Sequence, residues 1–294
     1  MIIDKNIPRK EKITRNRLQY IPDTNIPLMS VVEISNSGMC NRKCSFCPRS
    51  APDFQHVNEF IAEDLHKKIF FELSELNYKG MVIYSGYVEP LLDKKIYQSI
   101  SEARKFLPDA QIEIITNGDV LDAERIKKLF EAGLSTLLIS VYDGPEEERN
   151  FYKLCKEDAK LKEGQYVIRN RYMSSKDNFG LNLSNRSGAL ENAEYSVKPL
   201  DSALPVKCNY PAYTFFIDYN GDVQMCSHDW GKKYILGNVK KEKILDIWCN
   251  KKFGLARKKL LNADRKFSPC NKCDVSGELI GDSHADKWLL NLKK

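Results

Sequence analysis

No stretch of this 294-residue sequence stays apolar for anything near the ~20 residues that a membrane-spanning helix needs. The opening "MIIDKNIPRKEKITRNRLQY" lacks the apolar core of a secretory signal. Internal repeats and low-complexity tracts are missing too, and no recognition motif for nucleic acid accompanies the basic residues. These absences argue against membrane and nucleic-acid partners and lead us to expect a cytoplasmic protein. In that reducing compartment the nine cysteines do not form a disulfide framework. Metal binding or catalysis becomes their better use.

What is present describes a folded, soluble chain, with 42% hydrophobic and 29% charged residues. The net charge of +6 is modest, and its local groups at 9–17 and 251–259 read as a basic N-terminal arm and solvated helix faces. From residue 31 short β-like runs alternate with helical ones. Strands are expected at 31–35, 81–86, 112–118, 135–144 and 166–172, with a sixth at 179–184. Between them, 61–76 carries Ile61, Leu65, Ile69, Leu73 and Leu76 on one helical face, and the helix after 121 ends at Gly133, a natural C′ position. This alternation predicts an α/β fold with a parallel sheet and helices outside it. Chemistry then belongs at the carboxyl ends of the strands. Beyond a loop-rich stretch at 185–207, "YTFFIDYNGDVQMC" reads as a hairpin with Asn220-Gly221 as a two-residue turn, followed by helices over 241–261.

"GMCNRKCSFCPRS" (38–50) places Cys40, Cys44 and Cys47 in one loop. Soft thiolates suit iron–sulfur clusters or zinc. A [4Fe–4S] cube that only transfers electrons takes four cysteines, so three leave one iron open; a zinc completed by a distant residue is the alternative. Cys208, Cys226, Cys270 and Cys273 form a second, four-thiol set that could close a cluster or a zinc knuckle.

The first spacing, with Phe46 before its last cysteine, resembles the radical S-adenosylmethionine (radical SAM) superfamily. The resemblance implies a partial (β/α)6 TIM-like barrel. SAM would chelate the open iron and be cleaved to a 5′-deoxyadenosyl radical, with Phe46 near the adenine. "SGYVEPL" is similar to the family's GGEP segment, which implicates Gly86 and Glu89 in holding the methionine amino group, although Tyr87 and Val88 stand where glycine is common. "ITNGD" resembles the segment near the ribose (Thr116, Asn117), and "LLISVYDG" the strand whose Ser140 approaches the SAM carboxylate or ribose. The second set resembles the start of a SPASM domain in its shortened, twitch form, since Leu279 stands where the next cysteine belongs. That implies a smaller C-terminal hairpin-plus-helix domain with one auxiliary [4Fe–4S] cluster, and two clusters in all. The expected division is an extension at 1–28, the barrel at 29–200, the auxiliary domain at 201–280 and a tail at 281–294.

Size and a single auxiliary module resemble the alcohol dehydrogenases of aminocyclitol biosynthesis. They imply oxidation of a sugar- or cyclitol-like small molecule, with flavodoxin or ferredoxin as electron donor. Arg186, between the modules, is expected to anchor substrate. Redox-neutral epimerisation with Cys249 returning a hydrogen atom is one alternative; modification of a peptide substrate is another. Cys155 is expected to be a spare thiol, and His228 and Asp229 to lie beside the cluster rather than bind it.

Overall fold

A computed structural model describes residues 4, 6–51, 54–171, 184–193 and 197–292. Among them one eight-stranded sheet runs in the order β5-β4-β3-β2-β1-β6-β7-β8. Strands β1 (Val31–Ile34), β2 (Met81–Tyr84), β3 (Gln111–Thr116), β4 (Thr136–Val141) and β5 (Tyr166–Asn170) pair in parallel. Helices α2 (Glu63–Glu75), α3 (Ile96–Phe106), α4 (Ala123–Glu131) and α5 (Pro145–Lys153) connect them. The sheet is not closed, so the barrel is partial. The strand expected at 179–184 lies outside the described residues, except Ser184. The sixth parallel strand is instead β6 (Thr214–Ile217), which joins the free side of β1. Strands β7 (Asp222–Gln224) and β8 (Ile235–Asn238) follow antiparallel, so the auxiliary hairpin continues the barrel sheet.

The hairpin turn is wider than the Asn-Gly pair predicts. Ile217 pairs with Val223 and Asp218 N–H donates to Asp222 O (2.9 Å), which leaves three residues in the loop and Gly221 at φ 87°. A three-residue loop closing on a left-handed glycine is the common alternative to the two-residue turn. Gly133 does follow α4 with φ 108°, as its C′ position requires.

Strands β1, β2 and β4 are buried on both faces, which is why they read as largely apolar runs. Val32, Ile34, Val82, Ile112 and Ile139 pack in the large core with Leu65, Ile69, Ile100 and Leu129 of the helices. The alternate residues Val31, Met81 and Ile83 form a smaller cluster with Tyr213 on the inner face. That inner face is covered by α1 (Asn6–Asn16), and here the expectation of a solvated basic arm fails. Ile13 packs against the inner cluster. Arg9 forms an ion pair with Glu113, whose side chain is 2% exposed, and Asp4 pairs with Arg169 of β5. A carboxylate inside a strand needs a buried partner, and α1 supplies it.

Helices α6 (Tyr210–Tyr213), α7 (Ile244–Cys249), α8 (Lys251–Leu261) and α9 (Asp282–Leu292) complete the auxiliary side. The basic run in α8 is solvated at Lys251, Lys252 and Lys258, but Arg257 is buried. Its guanidinium carbon lies 3.9 Å from the ring centroids of Trp248, Phe253 and Trp288. Arg257 also donates to the carbonyls of Pro211 (2.8 Å) and Trp248 (2.7 Å). The stretch expected as a tail is thus a helix whose Trp288 closes this cage. Among the described residues, no helix is long and apolar enough to cross a membrane.

Candidate functional site

A cleft of about 790 Å³ opens at the carboxyl ends of the parallel strands. It brings together Cys40, Cys44, Cys47, Phe46, Gly86, Glu89, Thr116, Asn117, Ser140 and Arg186. The loop after β1 carries the three thiols, all half-buried. It turns back on itself through Cys47 N–H to Cys44 O (2.9 Å). Burial raises all three thiols above their usual range, Cys44 to about 11.

Glu89 caps the short turn after β2 and is buried. Its Oε1 accepts from Thr116 Oγ1 (2.7 Å) and Leu91 N–H (3.0 Å), and its Oε2 from Asn117 N–H (2.7 Å). Burial still raises its pKa despite these donors, as expected of a carboxylate that lacks a cation. Gly86 has φ 102°, and a Cβ there would press on the Phe216 ring at 3.0 Å. Phe46 stacks on Tyr142, with centroids 5.4 Å apart and planes at 25°. Arg42 lies over the same Tyr142 ring and is held by Asp119, Asp143 and Glu147.

The second thiol set lines a small cavity whose other walls include Pro211, Met225, Leu260 and Val275. Cys226, Cys270 and Cys273 are buried and Cys208 half-buried. Burial pushes Cys208 up to about 11 and raises the other three, and neighbouring thiolates add to the rise at Cys208, Cys226 and Cys270. Four thiols whose ionisation burial disfavours, lining one space, fit a multiply charged iron–sulfur group. Arg265 frames this cavity by donating to the carbonyls of Val275 (2.6 Å) and Lys207 (2.9 Å). A Cβ at Gly277 would run into Cys208 Sγ, which explains glycine there.

The two sites are tied through Tyr87. Its carbonyl accepts from Arg49 Nη1 (3.0 Å), two residues after Cys47. Its hydroxyl donates to Gln224 Oε1 (2.5 Å) and lies 3.0 Å from the carbonyl of Asp229, flanking Cys226. Trp230 and Phe216 pack on its ring at 4.5 and 5.1 Å. The departure from glycine in "SGYVEP" was the signal for this link.

Cys249 is exposed at the end of α7 and does not line the cleft, so the cleft does not present it to a substrate. Cys155 is fully buried in the large core, as a spare thiol should be. His228 lines the cleft, with Nδ1 3.2 Å from Ser184 Oγ and Nε2 3.0 Å from Tyr210 Oη. Asp229 turns away and accepts from Lys233 and Tyr234 N–H groups. Sequence reasoning missed Arg49, Tyr142, Glu33 and the cations Lys10, Arg169 and Arg171, all of which line the cleft. Glu33 alone left a mark, as a carboxylate inside an apolar strand.

The radical SAM superfamily model matches residues 34–163, and the SPASM model, an iron–sulfur cluster-binding domain, matches residues 208–274. The chain is 30% identical over 249 residues to the S-adenosyl-L-methionine-dependent 2-deoxy-scyllo-inosamine dehydrogenase of Niallia circulans, covering 84% of this chain and 93% of that protein. It is similar to the crystal structure of BtrN in complex with AdoMet and 2-DOIA, with a TM-score of 0.71 at 27% identity over 85% of this chain and 94% of that one. The structure of anSMEcpe with bound AdoMet shares the fold, with a TM-score of 0.52 at 14% identity over 90% of this chain and 93% of that one.

Proposed function

The chain belongs to the radical SAM superfamily, and on that premise we propose that it oxidises an alcohol carbon of a cyclitol or similar polar small molecule. Cys40, Cys44 and Cys47 would hold the cluster that binds SAM. Cys208, Cys226, Cys270 and Cys273 would hold an auxiliary [4Fe–4S] cluster. When bound, these groups would supply the 5′-deoxyadenosyl radical that takes the carbinol hydrogen atom and the acceptor for the electron released, with the hydroxyl proton passing to solvent, as the alcohol becomes a ketone.

The observation that carries this reading is one cleft lined by three thiols, a buried carboxylate with no ion pair among the described residues and a stacked aromatic pair. Glu89 would receive the SAM ammonium, and Thr116 and Asn117 hold its carboxylate group in place for that contact. Phe46, fixed by Tyr142, would flank the adenine. Gly86 keeps the β2 loop close, and Ser140 offers a hydroxyl to the ribose or carboxylate of SAM. Arg186 would anchor the substrate between the two cysteine sites. A low-potential donor such as flavodoxin or ferredoxin would reduce the first cluster. The position of Cys249 outside the cleft weighs against the epimerase alternative.

Anaerobic reconstitution tests the proposal. We expect about eight irons per chain, four for each cubane cluster, and with SAM and reductant a ketone two hydrogens lighter than the cyclitol supplied. Two zincs without iron would overturn it. So would an epimer carrying solvent deuterium at the inverted carbon.

A further inference from the structure

The net charge of this chain is not spread evenly. Residues 208–274, the matched auxiliary module, hold thirteen lysines and arginines against seven aspartates and glutamates. That surplus equals the +6 of the whole chain, so the remaining residues balance to zero. Arg257 and Arg265 are buried in the module, and so are Asp218 and Asp229, which leaves lysine to set the charge of its surface. Ten of its eleven lysines are exposed, and the other, Lys259, is half-buried. Lys232 pairs with Asp218 and Lys259 with Asp264 at 3.7 Å. Among the described residues, the other nine lysines form no ion pair.

Two of these lysines frame an aromatic pair beside the second thiol set. The half-buried rings of Tyr234 and Phe267 lie with centroids 5.6 Å apart. Lys252 Nζ stands 5.1 Å from the Tyr234 centroid, and Lys259 Nζ 5.1 Å from that of Phe267. The exposed Lys233 and Lys266 adjoin the two aromatic residues in sequence. Backbone bonds tie both rings to the thiol site. Tyr234 O accepts from the N–H of Met225, which lines the cavity (3.3 Å), and Phe267 O from the N–H of Asn271, next to Cys270 (2.9 Å). An aromatic centre with a cationic rim suits the docking of an acidic protein, and a surplus of one charge on one module steers such a partner to it. Alcohol oxidation leaves one electron on the second cluster in each turnover, and that electron must depart before the next. Resting on the alcohol-oxidation reading above, we propose that an acidic one-electron carrier protein of the flavodoxin class docks on the Tyr234–Phe267 patch and takes this electron. The step oxidises the cluster by one electron, reduces the carrier by one, and breaks no bond in the chain. The position of the patch against the thiol site favours an electron carrier over nucleic acid, which has no use for a neighbouring cluster.

The test uses the reconstituted full chain with oxidised flavodoxin as the probe. In Cys44→Ala, which keeps the second thiol set, the remaining cluster is reduced and mixed with flavodoxin in a stopped-flow spectrometer, without SAM or substrate. Adding Lys252→Glu and Lys266→Glu together should lower the second-order rate of flavin reduction about 10-fold or more, and raised salt should lower it similarly when both lysines are kept. Lys252→Arg with Lys266→Arg should preserve the rate. Lys105→Glu with Lys127→Glu makes the same charge change at exposed positions of α3 and α4 and should leave the rate within about twofold. With all thiols intact and a chemical reductant, SAM cleavage should be the same with and without Lys252→Glu and Lys266→Glu, which shows that the first site is undamaged. Absence of flavin reduction, an unchanged rate with Lys252→Glu and Lys266→Glu, or an equal loss with Lys105→Glu and Lys127→Glu would overturn the inference. So would a short single-stranded oligonucleotide that binds the intact chain more tightly than flavodoxin and depends on the same two lysines. If the electron passes in a lysine-dependent way but no cyclitol yields a ketone, the docking patch stands and the oxidation reading falls. If ketone forms and the rate ignores these lysines, the oxidation reading stands and the patch falls.

Discussion

The two cysteine sites of this chain are built differently. The first has three half-buried thiols on a loop, facing a large cleft whose walls mix polar and apolar side chains. The second has four thiols, three of them buried, around a cavity with largely apolar walls. An iron with a vacant position beside a cleft is accessible to a ligand, whereas iron held by four thiolates is limited to electron transfer. The loop after β1 is tied to its neighbours by a few side chains such as Arg49 and Arg42. The second site sits on helices locked by the Arg257 cage and on a hairpin continuous with the main sheet.

The largest effect should come from removing thiols. Cys44→Ala should abolish SAM cleavage, read as 5′-deoxyadenosine. Cys273→Ala should keep SAM cleavage but lose ketone, with iron falling from about eight to about four per chain. Loss of cleavage in both variants would erase the distinction between open and closed sites.

The rigidity of the closed site has its own test. Arg257→Leu leaves the Pro211 and Trp248 carbonyls unpaired and empties the aromatic cage. A cost of about 3–5 kcal/mol is expected from losing the cation–π contacts and two charge-assisted bonds, read as a lower midpoint in denaturant. An unchanged midpoint would show that the cage does not hold the platform.

Glu89→Gln should sharpen the account of the open site. Replacing the charged acceptor costs about 1.5–3 kcal/mol toward an ammonium, so the SAM Kd should rise roughly 10- to 100-fold while the iron content stays constant. Equal SAM binding in both proteins would remove Glu89 from the SAM site.

The smallest effect concerns the link between the two sites. Tyr87→Phe keeps the ring against Trp230 and removes the hydroxyl contacts to Gln224 and Asp229, at a cost of about 1 kcal/mol. It should raise the ratio of 5′-deoxyadenosine to ketone severalfold, because the sites lose their fixed relation. A wild-type ratio would mean that packing alone sets that relation.

The grouping of each cysteine set and the place of Glu89 in the cleft were legible in the sequence, because they follow from residue type and spacing at strand ends. The parallel strands were legible too, as short and mostly apolar runs. The course of α1 was not. Arg9 and Lys10 follow a spacing that serves a solvated helix equally well, and only Glu113, a carboxylate inside β3, hinted that a cation must enter the inner face. Arg257 was hidden for the same reason, since its cage is assembled from α7, α8 and α9. Stacking of Tyr142 on Phe46 joins residues nearly a hundred positions apart and leaves no local pattern.

The most direct test of the open-versus-closed division is electron paramagnetic resonance of the reduced, reconstituted protein with and without SAM. In Cys273→Ala, which retains the first site, SAM should change the cluster signal. In Cys44→Ala, which retains the second, SAM should leave it unaltered. A SAM-induced change in the Cys44→Ala signal, or its absence in Cys273→Ala, would contradict the account.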